Sequence, residues 1–211
     1  MRIISGYLKG RRLNPPLNLP VRPTTDMARE GLFNILNNRI DFEETRVLDL
    51  FAGTGAISIE FISRGARYVT SVDESPKCID FIKKTCTTLE IENLFALRAD
   101  VFNFLGRSQQ SFDLVFADPP YDLKQFDLIP SLVLKSFVKP GGMFILEHSK
   151  EHNFSNNPYF TEQTVQKEQG IIGQEIKMYE DHPGVRMHRE LMKSLYKKNK
   201  MRVDIAGTVE S

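Results

Sequence analysis

The chain has 211 residues, 41% hydrophobic and 26% charged, which is enough apolar material for one buried core, and no apolar run approaches the ~20 residues of a membrane-spanning helix. Its two cysteines, Cys78 and Cys86, have no metal-ligand spacing around them and make no disulfide framework, and the start, Met1-Arg2-Ile3-Ile4-Ser5-Gly6, lacks the apolar core of a signal peptide; the expectation is a cytoplasmic protein with reduced thiols. The net charge of +1 hides a division: residues 1–40 carry seven Lys/Arg against two Asp/Glu, residues 181–211 seven against four, and the middle is acidic.

Basic ends around an acidic centre suit a protein that meets a polyanion with its edges, although solvated faces without a partner would carry the same pattern. At the N-terminus, Arg2 to Gly6 and Gly10 to Leu13 bracket a turn and predict a short hairpin. Four prolines between Asn14 and Pro23 make the next stretch an extended connector. Thr24-Thr25-Asp26 offers capping oxygens for a helix with an apolar stripe of Met27, Leu32, Phe33, Leu36 and Ile40, ending near Asn38.

From residue 46 strands and helices alternate. Strands are predicted over 47–51, 68–73, 95–98, 112–117 and 143–147. Helices are predicted over 56–64, 76–89 and 124–137, with a short turn after Asp100; Pro140-Gly141-Gly142 is read as a turn. This alternation predicts an α/β fold with a mainly parallel sheet covered on both faces. Residues 161–169 and 174–179 are read as a further strand hairpin, and 185–198 as a basic helix. The expected organisation is an N-terminal hairpin and connector (1–23), a main domain (24–180) and a basic tail (181–211).

Asp49-Leu50-Phe51-Ala52-Gly53-Thr54-Gly55-Ala56 ends the first strand of this series and opens a helix, so its glycines let the backbone approach a ligand at the carboxyl edge of the sheet. Asp73, with Glu74 beside it, ends the next strand, where an acidic residue takes ribose hydroxyls in a Rossmann-type unit; Asp100 ends the third. Ile57 and Ser58 stand where the dinucleotide fingerprint needs its third glycine, and the Lys-Ser/Thr of a P-loop is absent. A ligand with ribose and adenine but no phosphates fits better, namely S-adenosylmethionine (SAM). A tight strand-to-helix turn is the bland alternative.

Asp118-Pro119-Pro120-Tyr121 ends the strand 112–117. Two prolines lack the N–H groups that a ladder needs, so the chain leaves the sheet there carrying a carboxylate and an aromatic ring. Such a pair can hold a base or an amide. A turn-forming Asp and an aromatic cap on the core are the plain readings of the same residues.

With these motifs the chain resembles the SAM-dependent methyltransferases. More narrowly, it is similar to the RsmD-type 16S rRNA guanine-N2 methyltransferases. That likeness rests on Arg2 to Gly6 with Gly10-Arg11, on Arg22-Pro23-Thr24-Thr25-Asp26, and on Arg29-Glu30-Gly31-Leu32-Phe33-Asn34-Ile35-Leu36. The resemblance implies a Rossmann-like class I fold in which Asp49, Phe51, Ala52, Gly53, Thr54 and Gly55 line the methionine part of SAM. Asp73 and Glu74 would hold the ribose, and Asp100 with Val101 would meet the adenine. Asp118, Pro119, Pro120 and Tyr121 would hold the target guanine. It implies 16S rRNA in a small-subunit assembly particle as partner, S-adenosylhomocysteine as product, a monomer, no membrane and no metal. Arg2, Arg11, Arg12, Arg22 and Arg29 are the candidate RNA contacts. Rival readings are a DNA adenine-N6 methyltransferase, for which the chain has no recognition domain; a protein glutamine methyltransferase, which typically has Asn before the two prolines; and a non-catalytic RNA-binding assembly factor.

Overall fold

Among the described residues, six strands form one sheet in the order β3-β2-β1-β4-β5-β6. They are β1 (Arg46–Leu50), β2 (Tyr68–Asp73), β3 (Leu94–Arg98), β4 (Phe112–Ala117), β5 (Val138–His148) and β6 (Glu175–Glu180). The first five run parallel, and β6 pairs antiparallel with β5. The computed structural model of the chain describes residues 1–16, 19, 21, 24–108, 110–120, 122–149 and, for the backbone alone, 175–180. The predicted strand over 161–169, the helix over 185–198, Arg22 and Tyr121 lie outside the described residues.

Each central strand is apolar on both sides, as a parallel sheet with two covered faces requires. Alternation sorts the side chains of one strand between two cores. Val47 packs with Leu32, Phe33, Ile59, Phe61, Ile79 and Ile82. Leu48 and Leu50 pack with Val101, Leu105, Ile129 and Val133 on the other face. Three helices cover the first face: α1 (Asp26–Leu36), α2 (Ala56–Ser63) and α3 (Pro76–Leu89). The second carries α4 (Val101–Arg107) and α5 (Ile129–Ser136).

The helix starts follow the local chemistry. Thr25 accepts from the Ala28 N–H at 3.2 Å, and Ser75 accepts from the Cys78 N–H at 3.4 Å ahead of Pro76. Both cysteines are buried free thiols.

Three expectations are corrected. The helix over 124–137 is a 3-10 turn (Phe126–Leu128) followed by α5, because Pro130 is tolerated only in a helix's first turn. The last parallel strand begins at Val138 and not at Met143. Val138 pairs with Phe112 and Met143 with Leu114, so the Pro140-Gly141-Gly142 stretch bulges out of an otherwise continuous ladder, with Gly141 at φ +78°. Met27, placed in the apolar stripe of α1, is 74% exposed; Ala28, Arg29, Leu32, Phe33, Ile35 and Leu36 form the buried side instead.

The N-terminal hairpin forms as expected. Arg2 and Arg12 make an antiparallel bridge, and Ile3 N–H donates to Arg11 O while Gly10 N–H donates to Ile3 O, both at 2.9 Å. Its tip is seated on α2. The N–H groups of Ile4 and Ser5 donate to Glu60 at 2.8 and 3.0 Å, and that of Tyr7 donates to the Ser63 carbonyl at 2.8 Å.

Candidate active site

The Gly-rich turn from Phe51 to Gly55 sits at the carboxyl end of β1, between the ends of β2 and β4. Phe51 takes φ +61°, which is rare for a residue with a side chain and is the kind of backbone strain that collects at ligand sites. Gly53 and Gly55 follow at φ +53° and +71°. A Cβ on Gly55 would lie 2.7 Å from Cγ1 of Ile82, so both the backbone angle and the close packing of α3 require glycine there. Gly53 has more room, its nearest neighbour being Val21 of the connector at 3.6 Å from such a Cβ. The connector therefore runs over this turn.

Asp73 secures the turn from β2. One oxygen accepts from the Gly53 N–H and the other from the Ser75 N–H, both at 2.8 Å. Glu74 beside it is exposed. Asp100 accepts from the Asn103 N–H at 2.8 Å and so caps α4, while Val101 is buried behind it. Asp49 is only 1% exposed and receives the Ser58 hydroxyl, which is itself 2.6 Å from the hydroxyl of Ser71. Nothing in the motifs identifies these two serines. Their signal is faint: small polar residues inside the apolar runs of α2 and β2.

Asp118 N–H donates to the Leu50 carbonyl at 3.4 Å, which places the Asp-Pro-Pro exit from β4 directly beside the entry to the Gly-rich turn. Pro119 is buried and Pro120 exposed. Burial pushes the Asp118 carboxyl up to about 6. Asp49 is pushed to about 7, first by burial and then by the negative charges of Asp118 and Asp73, against the Ser58 hydrogen bond. The charges of Asp118 and Asp73 thus both bear on Asp49, at the ends of β4, β2 and β1, and disfavour its ionised form. A cation placed among them would relieve that repulsion.

The basic N-terminal residues divide. Arg2, Arg11 and Arg12 are exposed on the hairpin. Arg29 is not: it is 0% exposed and cannot reach a phosphate. Its guanidinium donates to the Arg2 carbonyl at 2.7 Å and to Asp26 at 2.5 Å, with Glu60 at 4.0 Å. The expectation that Arg29 contacts RNA is therefore withdrawn, because a buried guanidinium is held by its partners within the protein.

A parallel sheet in the order 3-2-1-4-5, a Gly-rich turn after its first strand and an Asp-Pro-Pro exit after its fourth define a Rossmann-like methyltransferase fold. The structure of YhhF from Escherichia coli superposes with a TM-score of 0.73 at 25% identity, covering 86% of this chain and 99% of that one. RsmC from Thermus thermophilus, a 16S rRNA N2 G1207 methyltransferase solved with AdoMet and guanosine, shares the fold at a TM-score of 0.60 and 22% identity, over 78% of this chain and 45% of that one. The family model Conserved hypothetical protein 95 matches residues 1–179. Ribosomal RNA small subunit methyltransferase D of Buchnera aphidicola is 35% identical over 157 residues, 72% of this chain and 78% of that protein. The chain belongs to this family, the RsmD family.

Proposed function

We propose that the protein transfers a methyl group from SAM to the exocyclic N2 amine of a guanine in 16S rRNA. The observation that carries this reading is the junction of the two motifs, where the Asp118 N–H meets the Leu50 carbonyl. One edge of the sheet then holds a turn fit for the donor and a carboxylate fit for the acceptor.

The residues present suit SAM. The repulsion of Asp49 by Asp118 and Asp73 favours a positively charged ligand, and no lysine stands in the turn to attract phosphates. Asp73, at the end of β2, would accept from ribose hydroxyls with the lone pairs that the Gly53 and Ser75 N–H groups leave free. Asp100 and Val101, at the end of β3, would border the adenine. SAM supplies an electrophilic methyl group on a sulfonium, so positioning the acceptor is most of what remains.

Asp118 and the Pro119 carbonyl supply that positioning. The exocyclic amine of guanine is a poor nucleophile because its lone pair is delocalised into the ring. Two acceptors engaging its two N–H bonds localise the pair and aim it. The stiff Pro119-Pro120 turn fixes both acceptors to the end of β4. A carboxyl titrating near 6 is ionised at neutral pH, so it accepts rather than donates. After attack the amine becomes acidic, and Asp118 or water takes its proton. Tyr121, next in sequence, would stack on a base taken out of its helix.

The basic hairpin supplies Arg2, Arg11 and Arg12 for phosphates, with Arg22 in the connector. Relatives named as small-subunit rRNA methyltransferases support RNA as the acceptor. The finer expectations are an assembling small subunit as substrate, a cytoplasmic monomer as the working form, and residues 181–211 as a separate basic tail. An Asp118→Ala variant should lose methyl transfer to small-subunit particles by about 10³-fold while binding SAM within about threefold of wild type. Tritiated SAM offered with RNA, DNA and protein fractions, followed by mass mapping of the modified nucleotide, checks the acceptor. Label in DNA or protein alone, or normal turnover by the variant, would overturn the reading.

A further inference from the structure

The N-terminal hairpin and the Gly-rich turn are separated in sequence by some forty residues, yet they are built onto the same helix. Glu60 lies one turn into α2, which opens at Gly55. It is 0% exposed, and its two oxygens accept from the Ile4 and Ser5 N–H groups as well as from Arg64 Nε at 2.8 Å. Arg29 approaches the same carboxylate from α1 and reaches on to the Arg2 carbonyl, while Asp26 binds both Arg29 and, at 3.6 Å, the Arg2 side chain. A buried carboxylate is costly unless its lone pairs are filled, and the N–H groups of the hairpin fill them.

Two further contacts reach the turn itself. The Thr54 hydroxyl points at the Met1 sulfur at 3.8 Å, and Val21 lies against Gly53. On the outer side of this assembly stand Arg2, Arg11 and Arg12, all exposed.

We infer that Glu60 and Arg29 are positioning residues for the RNA: they pin the basic hairpin to the helix that carries the donor turn, so that phosphates gripped by Arg2, Arg11 and Arg12 set where the target base falls. Neither touches substrate. Their effect passes through the hairpin, whose rigid seat on α2 converts backbone contacts into a fixed distance from the turn. The inference rests on RNA being the acceptor, as proposed above.

The test uses the full chain with Glu60→Gln and, separately, Arg29→Lys. Gln keeps one acceptor for two N–H groups and loses the charge; Lys keeps the charge but ends one bond shorter, and its single nitrogen cannot hold Arg2 and Asp26, as Nη2 does, and also face Glu60, as Nη1 does. Each variant should raise KM for small-subunit particles about tenfold, the size of one lost charge-assisted contact, with kcat and the SAM dissociation constant held within about twofold. Amide exchange at Ile4 and Ser5 should quicken while the sheet stays protected. Removing Arg11 and Arg12 together should cost less in the Glu60→Gln background than in wild type, because a released hairpin no longer aims them.

The inference is overturned if kcat falls with KM unchanged, which would mean only less folded enzyme, or if the losses add in full. Should either single variant fold poorly, the double replacement by methionine keeps the volume without the charges and is judged by the same KM split. Absence of methyl transfer to RNA by the wild type is a different result. It would overturn the proposed function before any variant is compared.

Discussion

In the proposed reaction Asp118 must be charged to work, and burial resists that charge. With its carboxyl near 6 against an ordinary value of 3.8, the residue holds its proton over a range in which an exposed Asp would be ionised. A protonated Asp118 donates one hydrogen bond and can no longer accept in the manner the amine requires. The single-turnover rate at saturating donor should therefore fall about tenfold per pH unit below 6 and level off above it. Saturating donor matters, because Asp49 titrates near 7 beside the donor turn and would otherwise add its own limb. An Asp118→Asn variant should be much slower and lose the limb, since the amide does not titrate in this range. Rates measured from pH 5 to 8 on both proteins check this, and a limb that survives in the variant assigns it to another group. Arg29 carries the opposite lesson at the same scale. A basic residue in a basic segment reads as an RNA contact, and only its partners, one 27 and another 31 positions away in sequence, reveal a structural ion pair.

Gly6 decides how the hairpin meets α2. Its φ of +82° favours glycine, and a Cβ there would fall 1.6 Å from the Ser63 carbonyl oxygen, inside the backbone of the helix. Gly6→Ala should therefore undock the hairpin tip rather than merely strain it. The expected result is fast amide exchange over residues 3–13 with the sheet still protected, a stability loss of about 2–4 kcal/mol by urea unfolding, and a raised KM for particles. Unchanged protection at Ile3 and Gly10 would show that the tip can sit otherwise. Elements of this kind explain what sequence could and could not show. The strands β2 and β4 and the helix α3 are legible to the residue because short apolar runs and a proline at a helix start, Pro76, are local signals. So is the Gly-rich turn, whose glycines and following Asp73 are set by the geometry of a single strand-helix-strand unit. Glu60 was hidden because Glu60 and Arg64 at i,i+4 look like a surface pair. What buries them is a hairpin some fifty-six positions earlier, and no local pattern encodes that contact. The break at Pro130 was legible in principle, since a proline at the middle of a proposed helix argues for starting the helix there.

Across the whole molecule the carboxylates at the sheet edge link pH to folding and, on the proposed function, to donor binding. Asp49 and Asp118 have folded-state values of about 7 and 6, both above those of an unfolded chain. Between roughly pH 4 and 7 the folded protein therefore holds more protons than the unfolded one, and its stability falls as pH rises through that window. Below the unfolded values both states are protonated, and above about 7 neither is, so the loss is complete there. These two carboxylates accordingly destabilise the free protein most at the pH where the enzyme is expected to work. A bound cation reverses the sign locally, because it favours the ionised carboxylates that burial penalises. SAM should then raise the melting temperature more at pH 8 than at pH 5.5. S-adenosylhomocysteine, which lacks the sulfonium charge, should show a weaker pH dependence over the same interval. Thermal unfolding with each ligand at matched saturation, across four pH values, measures the difference. Parallel curves for the two ligands would mean that the carboxylates do not sense the sulfonium, and that shape and hydrogen bonding alone hold the donor. A steeper SAM curve that flattens in Asp49→Asn but persists in Asp118→Asn would place the sensed charge on the β1 side of the turn, beside Ser58.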